Sequence, residues 1–141
     1  MVFKYRILLR NLFAIMLVRG VVAGCGKSDR HGLSGKVTLK GDLLRSGSIQ
    51  FESVAGQSPA FSTGAVIKEG AFFVPDSSGI PPGDYRVIIN AAAAPTLIPG
   101  PPGGQAVLEA KELVPAAYNT DSEVTIEVSA EGENAFTFDI P

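Results

Sequence analysis

The sequence predicts an all-β fold, an Ig-like Greek-key β-sandwich of seven or so strands, preceded by a helical leader. Three observations carry this. Apolar residues recur at every second position in five separate stretches after residue 33, the period of a strand with one buried face. Glycine and proline, 16 and 10 of the 141 residues, fall between those stretches, as turns require. After the leader no window carries an apolar stripe at helical spacing; residues 91–94 are all alanine, but Pro95 follows at once and ends any helix there.

Residues 1–24 read as an export signal peptide. Lys4, Arg6 and Arg10 make a positive start, residues 12–18 an uninterrupted apolar run, and Val22, Ala23 and Gly24 a small-residue exit, the three parts such a signal needs. Arg10, Asn11 and Arg19 bound the run, leaving it short of the ~20 apolar residues of a transmembrane helix. Arg19 lies near the exit, where its side chain reaches towards headgroups.

Cys25 is the only cysteine, which excludes an internal disulfide. It stands between the leader and residues 26–32, a polar stretch without an apolar face for a core. Val22-Ala23-Gly24-Cys25 resembles the lipobox of bacterial lipoproteins, in which a branched residue and two small ones precede the cysteine. The resemblance implies an order of events. The Cys25 sulfur is alkylated with diacylglycerol, a signal peptidase recognising Val22, Ala23 and Gly24 cuts before Cys25, and the freed amino group is acylated. One acyl chain holds a protein marginally, at about 0.8 kcal/mol per buried methylene, whereas two or three hold it stably. Residues 25–32 are then the lipidated cysteine and a polar tether, and the protein belongs to the cell envelope, on its periplasmic or outer-membrane face. Gly26 stands where the family's inner-membrane retention signal has aspartate, which favours the outer membrane.

Residues 33–141 make one domain, about 110 residues being enough for a single two-layer core. Val37 and Leu39 alternate with polar neighbours, as do Ile49 and Phe51, then Tyr85, Val87 and Ile89, then Val124, Ile126 and Val128, and finally Phe136, Phe138 and Ile140. Residues 65–68 and 71–74 flank Glu69-Gly70, a hairpin turn in which glycine takes positive φ without steric cost. Strands with one apolar face each satisfy themselves by stacking face to face.

Four motifs, Gly35-Lys36-Val37, Ile49-Gln50-Phe51, Gly70-Ala71-Phe72 and the run from Pro82-Gly83 to Tyr85-Arg86-Val87, resemble the carboxypeptidase regulatory-like domain, a prealbumin-type sandwich. The closing part, with Pro115-Ala116-Ala117-Tyr118-Asn119, resembles that of short bacterial lipoproteins in which this sandwich follows the lipobox. Ala117 stands where those proteins usually have lysine, so a role carried by that charge is absent here. Together the two resemblances cover nearly all of residues 34–141, and they imply a fold more than a function.

Residues 91–110 break the regular pattern with Pro95, Pro99, Pro101 and Pro102 among alanines and glycines. They read as a flexible insertion at one end of the sandwich. The sharper reading is a partner-binding loop with Leu97 and Ile98 as exposed anchors.

Residue chemistry points away from catalysis. His31 is the only histidine and lies in the tether, so Ser-His-Asp and Cys-His schemes have no base, and Cys/His zinc sites are excluded by count. No phosphate-cradling glycine motif precedes a helix. Nothing singles out a catalytic pair among the carboxylates, and the oxygen-rich segments Asp76-Ser77-Ser78 and 119–123 read as turns more readily than as calcium loops. The chain holds 12 Lys and Arg against 14 Asp and Glu, but Lys4, Arg6, Arg10 and Arg19 lie in the leader, leaving eight basic against 14 acidic residues, a net −6. An acidic domain does not suit nucleic acid. The expectation is a lipid-anchored, non-enzymatic module without metal or cofactor. Its partners are the membrane, through Cys25, and an envelope protein or polysaccharide. Carbohydrate binding through an exposed Tyr118 ring is the alternative, and a transthyretin-like small-molecule carrier is a third reading.

Overall fold

The computed structural model describes residues 29–141; the leader with Val22, Ala23 and Gly24, and Cys25 after it, lie outside the described residues. Ten strands follow one another there: β1 (Leu33–Leu39), β2 (Asp42–Leu43), β3 (Ser46–Ser53), β4 (Ser62–Lys68), β5 (Ala71–Val74), β6 (Gly83–Asn90), β7 (Thr96–Ile98), β8 (Val107–Glu109), β9 (Thr125–Val128) and β10 (Ala135–Ile140). Short 3-10 turns occupy Asp76–Ser78 and Ala116–Tyr118. The all-β expectation holds.

Eight strands form one sheet in the order β10-β1-β5-β4-β3-β6-β9, with β2 beside β1, while β7 and β8 make a separate two-stranded sheet. Neighbours are antiparallel except β1 and β10, which run parallel from Ser34↔Ala135 to Leu39↔Ile140. Strands β4 and β5 pair only at Lys68↔Ala71. There the sheet curls strongly, and its two halves turn their apolar faces towards each other. Phe72 on β5 stands 5.8 Å from Phe51 on β3 and 6.2 Å from Phe138 on β10, ring centre to ring centre. Hydrogen bonding is therefore continuous around a half-barrel, where the sequence suggests two separate layers.

Burial follows the period of two. Ile49 and Phe51, Tyr85, Val87 and Ile89, Ile126 and Val128, and Phe138 and Ile140 are all buried, while Leu39, Val124 and Phe136 pack at the core's margin. The Glu69-Gly70 turn has φ of 48° and 75°, the paired left-handed residues of a type I′ hairpin, whose twist matches that of the strands. Lys40-Gly41, with φ of 56° and 88°, repeats the device between β1 and β2, a turn the alternation pattern does not announce. The Tyr85 hydroxyl donates to the Pro81 carbonyl at 2.9 Å, so the ring fills the core while its polar tip stays partnered.

Two boundaries differ from the sequence reading. Residues 91–110, expected as an irregular insertion, contain the β7–β8 hairpin. Arg30 to Gly32, expected in the tether, are held on the domain.

Candidate functional site

The chain enters the fold through a docked segment. Arg30 donates to the Gly79 carbonyl at 3.3 Å, and its guanidinium lies 5.7 Å from the centre of the Phe61 ring, a cation–π contact. His31 and Ile80 exchange backbone hydrogen bonds of 2.9 and 3.2 Å. The Gly32 amide donates to Asp76 Oδ1 at 2.7 Å. The backbone needs partners at this point, and Asp76 with the segment that follows it to Ile80 supplies them, so Arg30 to Gly32 belong to the domain. A cavity of about 380 Å³ opens beside this segment, lined by His31, Phe73, Asp76, Glu133 and Asn134 among others. His31 Nε2 is buried there without a hydrogen-bond partner, 3.9 Å from the Asp29 carboxylate. No serine hydroxyl among the described residues is paired with it.

Tyr118, the sequence-predicted ligand residue, closes the 3-10 turn that follows Pro115. Its amide donates to the Pro115 carbonyl at 2.9 Å, and the amides of Asn119 and Asp121 return to the Ala116 carbonyl at 3.0 and 2.9 Å. Behind the turn, Ser122 is buried and its hydroxyl donates to the Val87 carbonyl, tying the segment to β6. These bonds roll Tyr118 inward. The ring is half-buried and packs on the core, less open than the exposed platform the sequence suggests. One edge lines an open hollow of about 340 Å³ with Ala117, Asp121, Glu123 and Val124. Among the described residues no group of three or more His, Cys, Asp or Glu side chains converges to hold a metal ion, and no helix is long and apolar enough to cross a membrane.

The third region is the hairpin. Glu112 Oε1 accepts the amides of Ala91, Leu113 and Val114 at 2.9, 3.1 and 3.0 Å, and Leu113 donates to the Ala91 carbonyl at 2.7 Å. One carboxylate oxygen thus clamps the hairpin's base with three charge-assisted bonds. Beyond it the ribbon pairs Thr96↔Glu109, Leu97↔Leu108 and Ile98↔Val107, and every residue of both strands is exposed. Leu97 and Ile98, the predicted anchors, are 68% and 38% exposed; Val107 and Leu108, which the sequence reading missed, are 53% and 64% exposed. Their signal was there. Two short apolar runs flank a Pro/Gly turn, the pattern of a hairpin with a long loop.

Nothing in the comparisons adds to this geometry: no family model, no curated protein and no solved structure matches the chain.

Proposed function

We propose that the chain is a lipid-anchored cell-envelope lipoprotein whose β domain is a non-enzymatic structural or protein-interaction module. The observation that carries the reading is the Val22-Ala23-Gly24-Cys25 exit, placed between an apolar leader and a polar stretch. Diacylglycerol on the Cys25 sulfur and an acylated amino group hold the protein on the periplasmic or outer-membrane face of a bacterial envelope. In this reading the curled sheet is a Greek-key sandwich of the carboxypeptidase regulatory-like, prealbumin type. Support for that finer fold is the Gly35, Phe51, Phe72 and Tyr85 motif set and the packing of Phe72 between Phe51 and Phe138.

The docked Arg30 to Gly32 segment adds a dimension. Only residues 25–29 are left to span from the lipid to the docked Arg30, at most roughly 18 Å of extended chain. The domain stands close to its bilayer, and the interaction surface best suited to the reading is the exposed apolar hairpin. Metabolic labelling with radioactive palmitate tests the anchor. Label is expected on the wild-type protein and absent from Cys25→Ser, which shifts to the soluble fraction. Unlabelled wild-type protein, or equal label on the variant, rejects the reading.

A further inference from the structure

We propose that the β7–β8 hairpin is a self-association surface whose occupant is the same hairpin of a second copy of this chain, joined edge to edge through β8. The inference supplies the interaction-module reading with its partner and rests on it, while the lipid anchor is independent of it.

Position argues against the anchoring bilayer as the occupant. Leu33 opens β1 at the end of the sheet where Val74 pairs with it, and β6 starts at that same end, beside the His31↔Ile80 bridge. β6 then runs eight residues before the hairpin begins, roughly 25 Å of strand. The hairpin projects from the end of the domain opposite the tether.

Charge permits a like partner at this segment alone. The protein after the leader is net −6, yet residues 91–108 contain no charged side chain. Copies meeting through the acidic remainder bring like charges together. Through this segment they do not.

Within the hairpin the available edge is β8. A two-stranded ribbon alone is marginal in water, and its unpaired N–H and C=O groups are a template for another strand. Pro95 and Pro99 flank β7 and remove donors from its edge. β9 at the main sheet's edge carries Glu127, with Glu123 and Glu131 close in sequence. Between Pro102 and Pro115 there is no proline, and every residue from Pro101 to Leu113 is exposed.

Register follows from symmetry. A two-fold axis pairs a strand with itself antiparallel, so the contact is self-complementary. Centred on Leu108, it sets Val107 opposite the second copy's Glu109 and extends the Leu97↔Leu108 pair into a row of four leucines on one face. Centred on Glu109, it would oppose two carboxylates, which is unfavourable.

Leu108→Cys in the full chain, expressed in its cells and treated with a short bismaleimide, tests the contact; the wild-type chain, with one cysteine, is the control. An adduct of twice the protein's mass is expected, falling on the order of tenfold when Leu97→Asp is added, and Gln50→Cys on the outward face of β3 gives none. Two differently tagged wild-type chains, co-expressed, are expected to co-purify and to separate on Leu108→Asp. An adduct of any other mass overturns the second copy as occupant and leaves an interaction module with a different partner. Absence of any adduct, with tagged chains that do not co-purify, overturns the second copy as occupant and leaves the anchor to the palmitate test.

Discussion

Tyr85 joins the core to the solvent-facing chemistry of its strand. The ring is fully buried, and burial pushes the phenol above its ordinary value of 10.0, with the Ser53 and Gln57 side chains drawing it partly back. A raised acid keeps its proton in the folded chain after the unfolded chain has begun to lose it. The resulting stabilisation is intact below pH 10 and drains away as pH climbs through the folded-state value. Tyr85→Phe removes the titration together with the bond to Pro81, a net loss of about 0.5–1.5 kcal/mol near neutral pH. Urea unfolding from about pH 8 to 11 should show a flatter alkaline decline for the variant than for wild type; equal slopes would contradict the assignment. Gly35 makes a different point at this scale. A Cβ there would lie 2.0 Å from the Phe136 carbonyl oxygen and 2.7 Å from the Phe72 ring, so the glycine serves close approach, not a turn. Alternation along β1 marks the strand but is silent about the ring that covers it.

Among the elements, β9 shows how an edge is guarded. Asp84 on β6 and Glu127 on β9 are directly opposed and both exposed, an arrangement that costs stability while discouraging a further strand from pairing. One strand-width away, Arg86 and Glu52 form a favourable pair at 2.9 Å, so the repulsion is local to the edge. Glu127→Lys is expected to stabilise the domain by about 0.2–1 kcal/mol at low ionic strength, with the gain shrinking as salt screens it. Thermal melts in low and high salt check this, and a variant no more stable than wild type in low salt would refute it. The two hairpin turns divide on legibility. Glu69-Gly70 is readable because alternating runs flank it on both sides, whereas β2 is only Asp42–Leu43, too short to show any period.

At the scale of the whole molecule, the sheet's two halves meet across the curl where Phe72 on β5 packs against Phe51 on β3. Phe138 on β10 extends the cluster within Phe72's own half. Phe72→Ala should cost about 3–5 kcal/mol, transfer loss plus cavity, a large share of the 5–15 kcal/mol that holds a typical domain together. A drop in chemical-denaturation midpoint with an unchanged slope would mark loss of packing in an otherwise native fold. A loss below about 1 kcal/mol would mean that Phe72 does not join the two halves. The same scale sets the hairpin apart. Every residue of its strands is exposed, and the clamp at Glu112 holds its base at the end of the domain opposite the docked Arg30 to Gly32 segment.

By itself the sequence determined the strand class, the inward residues of five strands, the Glu69-Gly70 turn and the exposure of Leu97 and Ile98. Those are properties of a residue and its near neighbours: side-chain period, φ preference and local polarity. Tertiary structure alone decided that the sheet is continuous through one pair at Lys68↔Ala71, that His31 belongs to the domain, and that Tyr118 turns inward behind Ser122. Each of these depends on partners far along the chain, such as Ile80 for His31 and Val87 for Ser122. No local pattern encodes them, because buried backbone groups take whichever partner the closed fold brings within reach.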